Sequence, residues 1–253
     1  MKKIVIITGA SSGIGREFAL QFAKKKRNEI DELWLIARRR GELQKVAEKC
    51  SVHCAVLEGD LQKKSVRDQL EVLLDKEKPK VQLLFNGAGY GKIGQVAENK
   101  LEDVEGMTML NVVALSAITR IVLPYMDQNA VIVNMASSAA FLPQPDFGVY
   151  AATKSFVLSF TRALRRECSK ENIWVTAVCP GPVKTEFFQV AQEGKPSPWY
   201  KKFFYVDCKK MVSYTIKDVE KRKEISIYSI PMKILYLLSK VLPHRLLMKI
   251  ISG

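Results

Sequence analysis

A tyrosine and a lysine spaced four residues apart could transfer a proton in this chain. Tyr150 and Lys154 lie in a stretch from Val149 to Glu171 that has the apolar periodicity of a helix. The spacing puts both side chains on one helix face. A tyrosine with an ordinary pKa of about 10 becomes an acid or base near neutrality only if that pKa falls, and a neighbouring ammonium group lowers it. The pair therefore predicts general acid–base chemistry.

The spacing alone does not single out Tyr150, because two other pairs repeat it: Tyr205 with Lys209, and Tyr236 with Lys240. Only Tyr150 follows an apolar run, Ala130–Met135, that leads into small hydroxyl residues, Ser137 and Ser138. We therefore expect the chemistry at Tyr150 and interpret the other two pairs as surface or packing contacts.

A glycine-rich turn follows the first apolar run, Ile4–Thr8. Glycine at positions 9, 13 and 15 lets the chain turn sharply and lets backbone N–H groups approach a pyrophosphate. The helix that follows would direct its N-terminal dipole at the phosphates. The turn thus predicts a dinucleotide site with six contact residues: Gly9, Ser11, Ser12, Gly13, Ile14 and Gly15.

Arginines follow the second apolar run, Leu33–Ala37, at the position where an NAD site would carry an acidic residue. The guanidinium groups of Arg38 and Arg39 could pair with the 2′-phosphate of NADP(H), which favours NADP(H) over NAD(H). The alternative is a solvated basic helix start. The next two runs end in residues that would line the path of the adenosine: Asp60 and Leu61, then Asn86, Ala88 and Gly89.

Six short apolar runs alternate with helical stretches along the chain: Ile4–Thr8, Leu33–Ala37, His53–Leu57, Val81–Asn86, Ala130–Met135 and Trp174–Cys179. This alternation predicts an α/β fold, a doubly wound parallel sheet (Rossmann fold) in a single domain, with ligands at the carboxyl ends of the strands. A last strand is predicted at Glu224–Ile230, and helices begin near Pro231 and Pro243.

Two parts of this domain have different predicted roles. Residues 1–182 would form the NADP-binding and catalytic core. Residues 183–253 would form a substrate lobe and basic, apolar C-terminal helices of the same domain. The lobe is predicted from seven aromatic residues: Phe187, Phe188, Trp199, Tyr200, Phe203, Phe204 and Tyr205.

Several motifs together resemble the short-chain dehydrogenase/reductase family in its classical form, and the match runs from Ile4 to about Thr185. The motifs, in the family's order, are Thr8-Gly9-x3-Gly13-x-Gly15, Asp60, Asn86-x-Ala88-Gly89, Asn111, a serine before Tyr150-x3-Lys154, and Pro180-Gly181. One departure is Gly87, where the family usually has a second asparagine that often braces the central strands.

The resemblance implies a role for each catalytic residue. Tyr150 would be the general acid/base, and Lys154 would hold the nicotinamide ribose and lower the tyrosine pKa. A serine would polarise the substrate carbonyl; the family's interval of 13 residues favours Ser137, with Ser138 as the alternative. Asn111 would position a water in the proton relay. Val183 and Thr185 would lie against the nicotinamide carboxamide, and Pro180 and Gly181 before them would also contact the cofactor.

Composition limits the partners and the compartment. Of the formal net charge of +14, residues 195–253 contribute +9 through 13 Lys/Arg and 4 Asp/Glu. We expect no nucleic-acid partner, because only the charge would support one. Five cysteines without a Cys-x-x-Cys pair, and only two histidines, indicate free thiols in the cytoplasm and no metal site.

The basic tail from Ile230 to Ile251 contains two apolar stretches, both too short to span a bilayer. Packing against the substrate lobe or a second subunit is favoured, and peripheral contact with an anionic membrane is the less favoured alternative. The family resemblance implies a homodimer or homotetramer.

The predicted function is NADP(H)-dependent hydride transfer between nicotinamide and a ketone or secondary alcohol, an apolar one given the aromatic lobe. The alternative is a catalytically silent NADP(H)-binding regulatory protein, against which the intact Asn111, Ser137, Tyr150 and Lys154 argue. An epimerase or dehydratase on the same fold would leave the cofactor unchanged after turnover.

Overall fold

One sheet of parallel strands forms the centre of the computed structural model, which describes residues 1–192 and 205–247. Within these residues the strands are β1 (Lys3–Thr8), β2 (Glu32–Ala37), β3 (His53–Glu58), β4 (Lys80–Asn86), β5 (Met126–Met135), β6 (Trp174–Val178) and β7 (Ile225–Ser226). Their order in the sheet is β3-β2-β1-β4-β5-β6-β7, and every neighbouring pair is parallel. The predicted doubly wound sheet in a single domain is confirmed.

Helices cover both faces of this sheet in the described residues. They are α1 (Gly13–Lys26), α2 (Arg40–Ala47), α3 (Lys64–Glu77), α4 (Leu101–Thr108), α5 (Leu115–Val122), α6 (Gly148–Glu167), α7 (Phe187–Gln192), α8 (Cys208–Glu220) and α9 (Ile230–Val241). Alternate residues of β1 enter the two cores, Val5 and Ile7 on the side of α1, Ile4 and Ile6 on the side of α5. Burial on both faces explains why the strands are apolar throughout.

A wider, π-helical stretch, Met109–Ala114, joins α4 to α5 without a break. The resulting helical stretch, Leu101–Tyr125, is the one among the described residues that is long and apolar enough to cross a bilayer. Its α5 end packs on the sheet through Ala114, Ile118 and Val122. This packing is that of a core helix.

Two predicted elements have different ends in the structure. The helix predicted from Val149 to Glu171 is α6, which ends at Glu167, since Cys168 leaves the helical conformation at ψ 0°. The turn that follows has Asn172 in the left-handed region, at φ 55°, and leads into β6. The last strand, predicted at Glu224–Ile230, is wrong in length: only Ile225 and Ser226 pair with β6, and α9 already begins at Ile230.

Two buried asparagines brace the central strands. The Asn86 side-chain amide donates to Asn134 Oδ1 and to Thr119 Oγ1, both at 2.9 Å, and the Asn134 amide donates to Thr161 Oγ1 at 3.0 Å. The glycine at position 87 therefore does not leave these strands unbraced. A Cβ at Gly87 would lie only 2.5 Å from the Phe85 ring, so the loop has no room for a side chain there.

We predict that Asn134→Ala lowers the free energy of unfolding by about 2–3 kcal/mol, because it removes two buried hydrogen bonds and leaves their partners less satisfied. Urea denaturation followed by circular dichroism measures the change. The control is Asn28→Ala in an exposed turn, which should leave the transition where it is. Equal stability of the two variants would contradict this role of Asn134.

Candidate functional site

A cleft of about 640 Å³ opens at the carboxyl ends of the strands, within the size range of cofactor and ligand sites. It lies where the strand order reverses between β1 and β4, the usual position for ligands in such sheets. Most of the predicted site residues line it: Gly9, Ser11, Ser12, Gly13, Ile14, Gly15, Arg38, Arg39, Asp60, Leu61, Ala88, Gly89, Ser137, Tyr150, Lys154, Pro180, Gly181, Val183 and Thr185. The side chains of Asn86 and Asn111 instead form hydrogen bonds inside the protein.

The glycine turn brings backbone close to backbone. Gly9 has a φ of 69°, and a Cβ on it would lie 2.8 Å from the backbone nitrogen of Ala88 at the end of β4. A Cβ on Gly15 would collide with the carbonyl oxygen of Gly9. These close approaches leave the N-terminus of α1 open towards the cleft, where its N–H groups and dipole favour an anion such as a pyrophosphate. The turn therefore fits a dinucleotide.

The Thr8 hydroxyl joins this turn to the next strand, a link that the motif analysis missed. It accepts hydrogen bonds from the N–H groups of Gly87 and Ala88, at 3.0 and 3.2 Å, and donates to the Phe85 carbonyl at 3.3 Å. This one hydroxyl thus fixes the end of β1 relative to the end of β4 at the bottom of the cleft.

The three arginines after β2 have different surroundings. Arg38 and Arg39 line the cleft, whereas Arg40 begins α2 and lies 4.0 Å from Glu58. The Arg39 Nη1 atom also lies 3.0 Å from the Oε2 atom of Glu186, and both side chains are about half-exposed. Two guanidinium groups thus lie at the rim of the cleft. One of them, that of Arg39, pairs with Glu186 in the loop after β6.

Tyr150 and Lys154 lie on the buried face of α6. Only 7% of Tyr150 and 4% of Lys154 are exposed. Two aromatic rings flank the tyrosine: Phe147 stacks on it at 4.3 Å between centroids, and Phe187 is tilted against it at 5.4 Å. The Lys154 Nζ atom donates to the Met135 carbonyl at 2.7 Å and lies 5.6 Å from the centroid of the tyrosine ring.

Burial dominates the ionisation of both groups. It raises the pKa of Tyr150 to about 12, against a smaller lowering by a hydrogen bond with Ser137. It lowers the pKa of Lys154 to about 8. The sequence predicted a tyrosine pKa lowered by the ammonium; in the protein alone this is wrong, because removal from water is the largest cause and Lys154 lies over the ring.

Ser137 and Ser138 both line the cleft but differ in their contacts. The Ser137 side chain interacts with the Tyr150 hydroxyl and accepts a hydrogen bond from the Ala139 N–H at 3.1 Å. Ser138 begins a single 3₁₀ turn, Ser138–Phe141, and its N–H donates to the Pro180 carbonyl at 2.9 Å. Of the two, Ser137 is therefore the serine that influences the pKa of Tyr150.

Asn111 clamps the loop after β4 to α6. Its Oδ1 atom accepts from the Tyr90 N–H at 3.1 Å, and its amide donates to the Tyr90 carbonyl at 2.9 Å and to Thr153 Oγ1 at 3.0 Å. Thr153 in turn donates to the Tyr150 carbonyl at 2.7 Å. The side chain of Asn111 therefore supports the helix that carries the tyrosine.

Several lining residues were not found from the sequence: Gly87, Tyr90, Lys92, Asp103, Leu110, Gln144, Phe147, Glu186 and Val190. Only Phe147 carried a usable signal, since it is an aromatic residue three positions before Tyr150; in the structure it is the N-cap of α6. Of the predicted aromatic lobe, Phe187 lines the cleft. Four of its members lie outside the described residues: Trp199, Tyr200, Phe203 and Phe204.

The family model for short chain dehydrogenases matches residues 3–196 of the chain. That range contains the glycine turn, Asn111, Ser137, Tyr150 and Lys154. The chain belongs to the classical short-chain dehydrogenase/reductase family. It is thus an oxidoreductase of a family that acts on CH–OH and C=O groups.

Individual relatives of this short-chain dehydrogenase cover the same core. Sulfoacetaldehyde reductase 2 from Chromohalobacter salexigens is 37% identical over 204 residues, 77% of this chain and 78% of that protein. The NADP-dependent 3-hydroxy acid dehydrogenase of Schizosaccharomyces pombe is 35% identical over 200 residues, 76% of each protein. A solved short-chain dehydrogenase from Sphingobium yanoikuyae in complex with NADPH superposes with a TM-score of 0.76 at 28% identity, covering 89% of this chain and 87% of that one.

We predict that Gly15→Ala weakens the binding of a nicotinamide dinucleotide at least about tenfold, since the added methyl must displace the Gly9 carbonyl. Fluorescence titration of NADPH measures the dissociation constant. Gly41→Ala in α2 is the matched control, because a Cβ there meets nothing within 4 Å. It should bind as the wild type does and gain about 0.5–1 kcal/mol of stability. Equal affinities of both variants would argue against this cradle.

Proposed function

We propose that this short-chain dehydrogenase is an NADP(H)-dependent oxidoreductase that interconverts a ketone and a secondary alcohol, with Tyr150 as the general acid/base. The observation that carries the proposal is the buried Tyr150, one helical turn from Lys154, in the same cleft as Ser137 and the glycine turn. When bound, nicotinamide supplies or accepts the hydride. The chain's own residues then have to orient the carbonyl and move one proton.

The raised pKa of Tyr150 keeps its proton in place at neutral pH, but it makes the hydroxyl a weak acid unless the tyrosinate is stabilised. With a pKa of about 12 the hydroxyl stays protonated at neutral pH, and its proton would go to a carbonyl oxygen. Ionising half of it at pH 7 requires about 7 kcal/mol of stabilisation of the tyrosinate. Lys154, whose pKa of about 8 keeps it mostly charged at pH 7, would contribute part of this energy, and Ser137 would polarise the carbonyl.

The two arginines at the rim support the choice of NADP(H). Arg38 and Arg39 offer charge-assisted hydrogen bonds to a 2′-phosphate, and no carboxylate lies among the residues that directly follow β2, up to Gly41. The relative from S. pombe is named as NADP-dependent, and the S. yanoikuyae enzyme was solved with NADPH. Glu186 would have to release Arg39 when a phosphate binds there.

The lining near Tyr150 favours an apolar substrate, because the rings of Phe147 and Phe187 flank the tyrosine and both line the cleft. A small anionic aldehyde or hydroxy acid is the second candidate, because the two relatives are named for sulfoacetaldehyde and for 3-hydroxy acids. One residue favours it: Lys92 lines the cleft, although its Nζ atom lies 4.0 Å from Asp103.

We further propose a cytoplasmic homo-oligomer. Five free cysteines suit a reducing compartment. Apolar side chains that are exposed along Met109–Ala114 and α6, namely Met109, Val113 and Phe156, suit contact with a second copy of the chain.

We predict that Arg39→Ala weakens NADPH binding about 10- to 100-fold and leaves NADH binding unchanged, because the loss of a charge-assisted bond to phosphate costs about 1.5–3 kcal/mol. Calorimetric titration with each cofactor measures both constants. Arg40→Ala removes the same charge one residue away, outside the cleft, and should change neither constant by more than about twofold. An equal effect of both substitutions would mean that Arg39 acts only through its positive charge, and not through a specific bond to the 2′-phosphate.

We predict that Tyr150→Phe abolishes turnover, by at least about 1000-fold, while NADPH affinity stays within about twofold of the wild type. The assay follows NADPH consumption against ketones, aldehydes, anionic aldehydes, 3-oxoacyl thioesters and ketosteroids. Tyr214→Phe, which removes a hydroxyl remote from the cleft, is the control and should remain active. Undiminished turnover by Tyr150→Phe would refute the mechanism. Tight NADPH binding by a wild type that turns over none of these compounds would favour the regulatory alternative.

A further inference from the structure

Helix α9 has apolar residues on two sides. On one side, Met232, Leu235 and Tyr236 pack into a core cluster with Phe141 and Ile227. The other side carries five large apolar side chains that are between 40% and 80% exposed: Ile230, Ile234, Leu237, Leu238 and Val241. We call these five residues the outer stripe of α9. The described residues, 1–192 and 205–247, therefore cover only one of the two sides.

The outer stripe is continuous along the helix. Positions 230, 234, 237 and 241 follow the i, i+4, i+7, i+11 spacing of one helix face, and Leu238 widens it. Single exposed apolar residues are normal on a soluble protein, whereas a contiguous exposed strip marks a surface that binds something apolar. The described structure leaves this strip uncovered.

Uncompensated positive charge runs beside the stripe. Lys233 and Lys240 contact aromatic side chains, with the Lys233 Nζ atom 3.1 Å from the Tyr214 hydroxyl and the Lys240 Nζ atom 4.4 Å from the centroid of the Tyr236 ring. Among the described residues, neither lysine has an ion pair. The two nearby acids have other partners: Asp218 is paired with Lys223, and Glu224 with Arg162. No aspartate or glutamate occurs from residue 225 to the end of the sequence.

Helix α9 also adjoins the cleft. Met232 packs on Gly181, where a Cβ would approach its Cγ atom to 2.9 Å, and Gly181 lines the cleft. The Tyr236 ring lies 5.0 Å from that of Phe141, at the end of the turn that begins with Ser138. The inner side of α9 thus packs on residues beside the cleft, and the outer stripe lies on the other side of the same helix.

We propose that the outer stripe of α9 binds this enzyme peripherally to an anionic lipid bilayer. The stripe enters the boundary between headgroups and acyl chains, and Lys233 and Lys240 lie at the level of the acidic headgroups. With 12 residues the helix is too short to span the hydrocarbon, so it lies in the plane of the surface. The binding does not depend on the reaction that the cleft catalyses.

The test is co-sedimentation of the full-length protein with vesicles of phosphatidylcholine and phosphatidylserine, and with vesicles of phosphatidylcholine alone. We expect binding to the acidic vesicles, at least tenfold weaker binding to the neutral ones, and weakening by salt. Leu237→Glu/Val241→Glu should lose at least tenfold in binding. Lys233→Gln/Lys240→Gln should lose the preference for acidic lipid.

The matched control is Val72→Glu/Val96→Glu, which makes the same change in charge at two apolar residues that are 67% and 63% exposed elsewhere. It should bind acidic vesicles as the wild type does. NADPH affinity and light scattering of every variant, measured without lipid, report folding and oligomeric state independently of membrane binding. Failure of the wild type to bind acidic vesicles would overturn the proposal. So would a wild-type oligomer that Leu237→Glu/Val241→Glu converts to monomer, since a second copy would then cover the stripe.

Discussion

The close contact between the turn after β1 and the end of β4 is the constraint on which the site depends. Gly9 and Gly15 have no space for a side chain because the turn lies directly on Ala88 and on its own backbone. The Thr8 hydroxyl then bonds two N–H groups of the β4 end. A sheet whose strand order reverses here opens a cleft between these two ends, and α1 directs its N-terminus into it.

Helix α6 contributes side chains both to the core and to the lining of the cleft, and this explains the ionisation of Tyr150 and Lys154. The face that carries Tyr150 and Lys154 is the face that packs on the sheet, so both groups lie out of water. Desolvation favours the neutral form of each group. It therefore raises the pKa of Tyr150 and lowers the pKa of Lys154. A positive charge brought close to the hydroxyl would lower the pKa of Tyr150 again.

The fold could be predicted from the sequence because apolar runs and glycine spacing are local signals. The strands up to β6 lie within a few residues of their predicted ends, and the motif residues lie around one cleft, with the side chains of Asn86 and Asn111 directed into the protein. What could not be predicted depends on contacts distant in sequence. The ion pair of Arg39 with Glu186 joins residues 147 positions apart. The pKa of Tyr150 depends on its burial, to which side chains from four other parts of the chain contribute.

The C-terminal tail illustrates the same limit at the surface. From composition, packing of α9 on the protein or on a second subunit is favoured over contact with a membrane, although apolar residues and lysines suit either purpose. The structure separates these roles by helix face: Met232 and Tyr236 are held against the turn beside the cleft, while Leu237 and Val241, one and five residues further on, point away from it. Because one side of α9 packs on the protein, the direction in which its other side faces is fixed. Whatever the outer stripe binds is therefore held at a defined angle to the cleft.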